Sequence, residues 1–147
     1  MICVDSSVAA KWLFAEEHSD KADALLQRAL AVGEPVVVPP LLLSEVTNIV
    51  RQRMRKEALP LEEAQGRLSM LLAVPLSIHA PDTLYHDALA LADRHNLPAT
   101  YDAHYIALAQ LFGATFWTAD EKLVRALGGK LSFVRPIALY DVSNSSR

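Results

Sequence analysis

Short runs of unbroken apolar residues alternate along this chain with longer stretches in which apolar side chains return every three or four positions. The first run, residues 1–4, is closed by Asp5-Ser6-Ser7, residue types that cap helices well. It predicts a buried strand followed by a helix through about Glu17. A second helix begins at Ser19 or Asp20, carries Ala24, Leu25, Ala29 and Leu30 among its apolar positions, and stops near Gly33. Val36-Val37-Val38 is β-branched and closed by Pro39-Pro40, which predicts a second buried strand. Helices over 41–57 and 61–72 follow, the latter weakened by Gly66. A third strand is predicted at 76–79, and Pro81-Asp82 opens a helix striped by Leu84, Ala88, Leu91 and Ala92. Thr100 is placed to cap a helix running to about Leu111 and ended by Gly113. A fourth strand spans 114–118, Asp120 opens a short helix stopped by Gly128-Gly129, and 131–134 reads as a fifth strand.

Short continuous strands separated by helices imply a mainly parallel sheet covered on both faces. The expected architecture is a three-layer α/β/α sandwich around four or five strands, with two helices in some connections and no repeat or interdomain linker. The 147 residues suit one domain over 1–141, with 142–147 read as a polar, flexible tail. A hydrophobic fraction of 52% with only 21% charged residues leaves more apolar surface than a lone monomer needs, as a partner or dimer interface would use. The one cysteine, Cys3, excludes an internal disulfide. No basic leader precedes Asp5, and the apolar stretch near 71–78 contains Pro75 and is too short for a bilayer. A soluble cytoplasmic protein is expected. The net charge of -3 says little about partners by itself: a passive nucleic-acid binder is usually basic, but an enzyme whose bound metal supplies the positive charge can be acidic and still act on phosphates.

Four acids sit where that chemistry would need them. Sites in open parallel sheets form beyond the carboxyl ends of strands. Asp5 follows the first strand, Asp120 lies two residues beyond the fourth, and Asp102 lies two residues after Thr100. Each of these also fits an ordinary place at a helix start. Glu45 does not, because it interrupts the apolar stripe Leu42, Val46, Ile49. A carboxylate there is costly unless a cation or hydrogen bonds compensate, an arginine partner being the plain alternative. Asn48, three residues on, shares its face and could support it. Were the four to converge, each pair about 6 Å apart would repel by roughly 3 kcal/mol at an effective dielectric of about 20. Mg²⁺ or Mn²⁺ would relieve that strain, and its bound waters suit phosphodiester hydrolysis.

The strand ending in Asp5-Ser6-Ser7, Glu45 in Ser-Glu-Val-Thr-Asn, the run Tyr101-Asp102-Ala103-His104-Tyr105-Ile106-Ala107-Leu108-Ala109 and the closing Thr118-Ala119-Asp120-Glu121-Lys122-Leu123 together resemble the PIN domain, particularly its VapC-type toxins. The resemblance runs from Ile2 to about Asp141. It implies a Mg²⁺-dependent endoribonuclease in which Asp5 and Asp102 ligate metal and Glu45 and Asp120 act directly or through water. Ser6 and Thr118 would be supporting hydroxyls, and cleavage would leave a 5′-phosphate and a 3′-hydroxyl. It further implies an RNA substrate, a homodimer, and a VapB-type antitoxin lying in a groove near the site. Trp12 and Phe14 are candidates for that groove, with ordinary core as the other reading.

Other classes fit less well. A phosphoacceptor receiver wants paired acids after the first strand, and an Asp-x-Asp phosphatase wants an acid where Ser7 stands. A PIN fold used only for binding would have lost acids; an RNA-processing nuclease outside toxin–antitoxin biology remains the alternative. His18, His79, His86, His95 and His104 show no zinc spacing. The basic run Arg51-Gln52-Arg53-Met54-Arg55-Lys56 reads equally as an RNA contact or as a solvated helix end.

Overall fold

A computed structural model describes residues 1–143. Thirteen elements follow one another in these residues: β1 (Ile2–Val4), α1 (Ser6–Leu13), α2 (Ser19–Val32), β2 (Val36–Val38), α3 (Leu41–Glu57), α4 (Leu61–Ala73), β3 (Leu76–Ile78), α5 (Thr83–Arg94), α6 (Tyr101–Phe112), β4 (Thr115–Thr118), α7 (Glu121–Leu127), β5 (Val134–Pro136) and a 3-10 turn at Ile137–Leu139. The five strands form one parallel sheet in the order β3-β2-β1-β4-β5. Cys3 stands opposite Val37 on one side and Phe116 on the other, so β1 is flanked by strands throughout. All three β1 residues are buried, which is why its sequence is apolar without alternation.

From β1 the chain crosses to β2 and on to β3; β4, once reached, leads the other way to β5. Right-handed crossovers therefore put the helices of the first two connections on one face and those of the last two on the other. The packing agrees: α1 lies against α2, α3 and α4, whereas α5 lies on α6 and α6 spans β1, β2 and β4. The reversal of direction opens a crevice at the carboxyl ends of β1 and β4, the place where ligand sites form in such sheets.

Two expected boundaries move. The first helix stops at Leu13 rather than near Glu17, with Phe14 already extended (φ -132°, ψ 138°). Arg67 explains the stop, since its guanidinium donates to the Leu13 carbonyl at 2.5 Å and lies over the Phe14 ring. The fifth strand begins at Val134 rather than Leu131, after a turn in which Val134 N–H donates to the Leu131 carbonyl. Of the expected tail, residues 144–147 lie outside the described residues; Ser143 N–H donates to the Asp141 carboxylate. No helix among the described residues is long and apolar enough to cross a membrane.

Candidate active site

β1 ends at Val4 and delivers Asp5 into the crevice, where the residue is only 3% exposed. Its carboxylate caps α1, accepting from Val8 N–H at 3.2 Å through Oδ1. The Ser7 hydroxyl donates to that same oxygen at 2.5 Å, and the Thr118 hydroxyl donates to Oδ2. Thr118 ends β4, is fully buried, and accepts in turn from Asp120 N–H at 3.0 Å. Ser7 accepts from Ala119 N–H at 2.9 Å. These two hydroxyls tie the β1–α1 junction to the β4–α7 junction, each donating to one and accepting from the other. Asp120 caps α7 with one oxygen, Oδ1, which takes Lys122 N–H at 2.9 Å and Leu123 N–H at 3.1 Å.

The other two acids come from the helices above. Glu45 in α3 accepts from the Tyr105 hydroxyl at 2.5 Å through Oε1. Tyr105 is buried and its ring stacks on Phe116, with centroids 6.0 Å apart. It lies three residues after Asp102 on α6, so one helical face presents both the acid and the hydroxyl that holds Glu45. No arginine or lysine pairs with any of the four acids among the described residues. A tyrosine thus takes the part expected of an arginine, and it satisfies Glu45 without neutralising it.

Electrostatics joins the four into one site. Burial, opposed by the Ser7, Thr118 and Val8 donors and aided by the charge on Asp102, pushes the Asp5 carboxyl up to about 6. Burial also raises Asp102, and the charges on Asp120 and Glu45 raise it further. Burial, the hydrogen bond to Glu45 and the charges of Glu45 and Asp5 hold the Tyr105 phenol firmly protonated. The acids lie close enough to repel, yet among the described residues no three His, Cys, Asp or Glu side chains form a ready-made metal cage. That arrangement fits an oxygen-seeking cation that keeps part of its water shell: Mg²⁺ is usually held by one or two carboxylates, with waters filling the remainder. The open oxygens are Asp102, Glu45 Oε2 and Asp120 Oδ2, which accept no hydrogen bond from the described residues, while Asp5 is the anchored member.

Some supporting residues differ from those expected. Ser7 rather than Ser6 bonds to Asp5, and Ser6 makes no side-chain hydrogen bond among the described residues. Asn48 is exposed and does not reach Glu45; Tyr105 does. Tyr105 could have been found, since its spacing from Asp102 puts the two on one face. Trp12 and Phe14 belong to the core: Trp12 Nε1 donates to the Ala22 carbonyl at 3.0 Å, and Phe14 is covered by Arg53 and Arg67. Within the basic run, Arg53 is occupied by Glu16 and by Glu57 at 2.6 Å, while Arg51 and Arg55 are exposed.

Comparison with known proteins places the chain in a family and matches its fold. The PIN-domain family model matches residues 2–128. The chain is 32% identical to Ribonuclease VapC3 of Pyrobaculum aerophilum over 124 residues, which is 83% of this chain and 91% of the relative. Its fold superposes on the crystal structure of PAE2754 from the same organism with a TM-score of 0.72 at 16% identity, covering 99% of this chain and 96% of the other. With its sheet reversing at β1 and β4, its four acids gathered there and both sequence comparisons in accord, the chain belongs to the PIN-domain family, alongside its VapC-type members.

Proposed function

We propose that this protein is a Mg²⁺- or Mn²⁺-dependent endoribonuclease and the toxin half of a toxin–antitoxin pair. The observation that carries the reading is Asp5, a buried carboxyl group fixed by three donors, set among further acids with no cationic side chain among the described residues to balance them. Asp5 and Asp102 would hold the cation, with Glu45 and Asp120 joining directly or through water. When bound, such an ion lowers the pKa of an attacking water and offsets charge on the phosphodiester.

The protein's own groups have separable tasks. Thr118 and Ser7 orient Asp5 and lock it to the Asp120 backbone loop, so two acids from distant parts of the chain keep a fixed relation. Tyr105 occupies Glu45 Oε1, while Oε2 accepts no hydrogen bond from the described residues. With its carboxyl pushed up to about 6, Asp5 holds a proton more readily than an ordinary aspartate, and a divalent cation would compete with that proton. The likeness to a VapC ribonuclease supports RNA as the substrate and a VapB-type antitoxin as the partner. A cytoplasmic homodimer completes the reading, with exposed Leu89 and Leu111 offering apolar surface to a second copy.

The test is cleavage of a mixed RNA pool by antitoxin-free protein in Mg²⁺, in Mn²⁺ and in EDTA, beside Asp5→Asn. Discrete cuts with new 3′-hydroxyl ends, dependent on metal and absent from the variant, are expected. Folded protein that cuts no RNA in either metal would overturn the assignment.

A further inference from the structure

Leu41 stands one helical turn before Glu45 on α3, and Tyr101 immediately precedes Asp102 on α6. These neighbours of the acids open onto a cleft of about 250 Å³ walled by Pro39, Pro40, Leu41, Tyr85, Tyr101 and His104. Neither a carboxylate nor a lysine or arginine lines it. Two aromatic rings stand open there, Tyr85 at 57% exposure and Tyr101 at 60%. His104 is tethered through Nδ1 to the Thr100 carbonyl at 2.6 Å and meets the Tyr85 ring edge-on at 5.7 Å, bracing it.

Resting on the ribonuclease reading, we propose that this cleft is a substrate subsite, taking the nucleobase next to the scissile phosphate by stacking on Tyr101 and Tyr85. Three features choose a base over other occupants. The cleft has no carboxylate, lysine or arginine and lies near a cluster of acids, so it suits a nucleobase better than a phosphate. Its volume lies below the roughly 300–1,000 Å³ of drug-sized ligand sites and fits one planar ring system. Its lining residues Leu41 and Tyr101 neighbour Glu45 and Asp102 along α3 and α6, so a base held there belongs to the same substrate strand as the phosphate at the acids. Single-stranded RNA is commonly recognised in this way, with unstacked bases laid on aromatic side chains.

The experiment uses the whole protein and a short single-stranded RNA containing one mapped cut site. A matched set carries an abasic nucleotide at each position flanking the cut in turn. kcat/KM is measured for the protein in Mg²⁺, and Kd by fluorescence anisotropy on an Asp5→Asn background. Tyr101→Ala is expected to lose about 5- to 150-fold in both on the intact RNA, the range corresponding to one base stack of about 1–3 kcal/mol. On the RNA abasic at one particular flank the loss should vanish, and Tyr101→Trp should retain near-full binding. Equal loss on intact and abasic RNAs would overturn the proposal, as would protein that binds no RNA. A loss accompanied by a changed oligomeric state in sedimentation would give the cleft to a second copy instead. Protein that binds with this dependence on Tyr101 but never cuts would sink the nuclease reading and leave the subsite standing.

Discussion

A carboxyl group whose pKa rises from 3.8 to about 6 on folding weakens the fold whenever it is ionised, and Asp5 is such a group. The penalty is absent below the unfolded value, where both states are protonated, and reaches its full size as pH climbs through the folded value. The shift corresponds to about 3 kcal/mol, and Asp102 moves in the same direction. In EDTA the thermal midpoint should therefore rise as pH falls from 7.5 to 5, measured by circular dichroism. Asp5→Asn keeps the cap to Val8 and loses one hydroxyl partner at about 1 kcal/mol. It should melt several degrees higher than the parent at pH 7.5 in EDTA and show a flatter pH dependence; a lower midpoint would mean that the cap and hydroxyl bonds outweigh the charge. Thr118→Val removes a donor to ionised Asp5, so the acid limb of the kcat/KM profile should move to higher pH. Tyr105→Phe keeps the stack on Phe116 but frees Glu45, so kcat should drop about tenfold with the midpoint nearly unchanged.

At the scale of elements, the meeting of α1 with α3 and α4 depends on two guanidinium groups laid on one ring. Arg53 and Arg67 cover Phe14 at 4.8 and 5.5 Å, Arg53 also binding Glu16 and Glu57. Arg53→Ala should cost about 1–2 kcal/mol in urea unfolding, through lost packing as much as lost charge. The exposed pair Arg51 and Arg55 is a different matter. Replacing both with alanine should leave stability alone and make the salt dependence of RNA binding shallower, by about 0.7 in log–log slope for each arginine that meets a phosphate; superimposable curves would return both to the solvated surface. These elements also mark how far the sequence could be read. Most helix boundaries were legible, because Asp5, Pro39-Pro40 and Asp120 mark starts and Gly33, Gly113 and Gly128 mark ends. The end of α1 was not, since no local breaker follows Leu13 and the stop comes from Arg67, more than fifty positions away. The start of β5 was missed for a similar reason: Leu131 looks like strand, but sheet pairing begins with Val134 opposite Phe116.

For the whole molecule, the four acids could be picked out from local pattern, and their convergence could not. Asp5 and Asp102 are separated by most of the chain, and only the strand order, with β4 placed beside β1, brings their neighbourhoods together. The supporting hydroxyls show the finer limit of pattern, because Ser6 and Ser7 look alike until the phase of α1 is known. A site built from opposite ends of the chain should couple ion binding to global stability. Mg²⁺ titrated well above its dissociation constant should add about 1.4 kcal/mol per tenfold concentration, and this increment should disappear in Asp5→Asn. The same sheet has a quieter property at its margins. β3 and β5 are the outer strands, each three residues long; Pro75 immediately precedes one and Pro136 closes the other. Proline has no N–H to offer an incoming strand, and so short a ladder gives it little to grip. Both margins are therefore poor templates for edge-to-edge fibre growth, and a chain 52% hydrophobic can stay dispersed while the centre of its sheet is given over to chemistry.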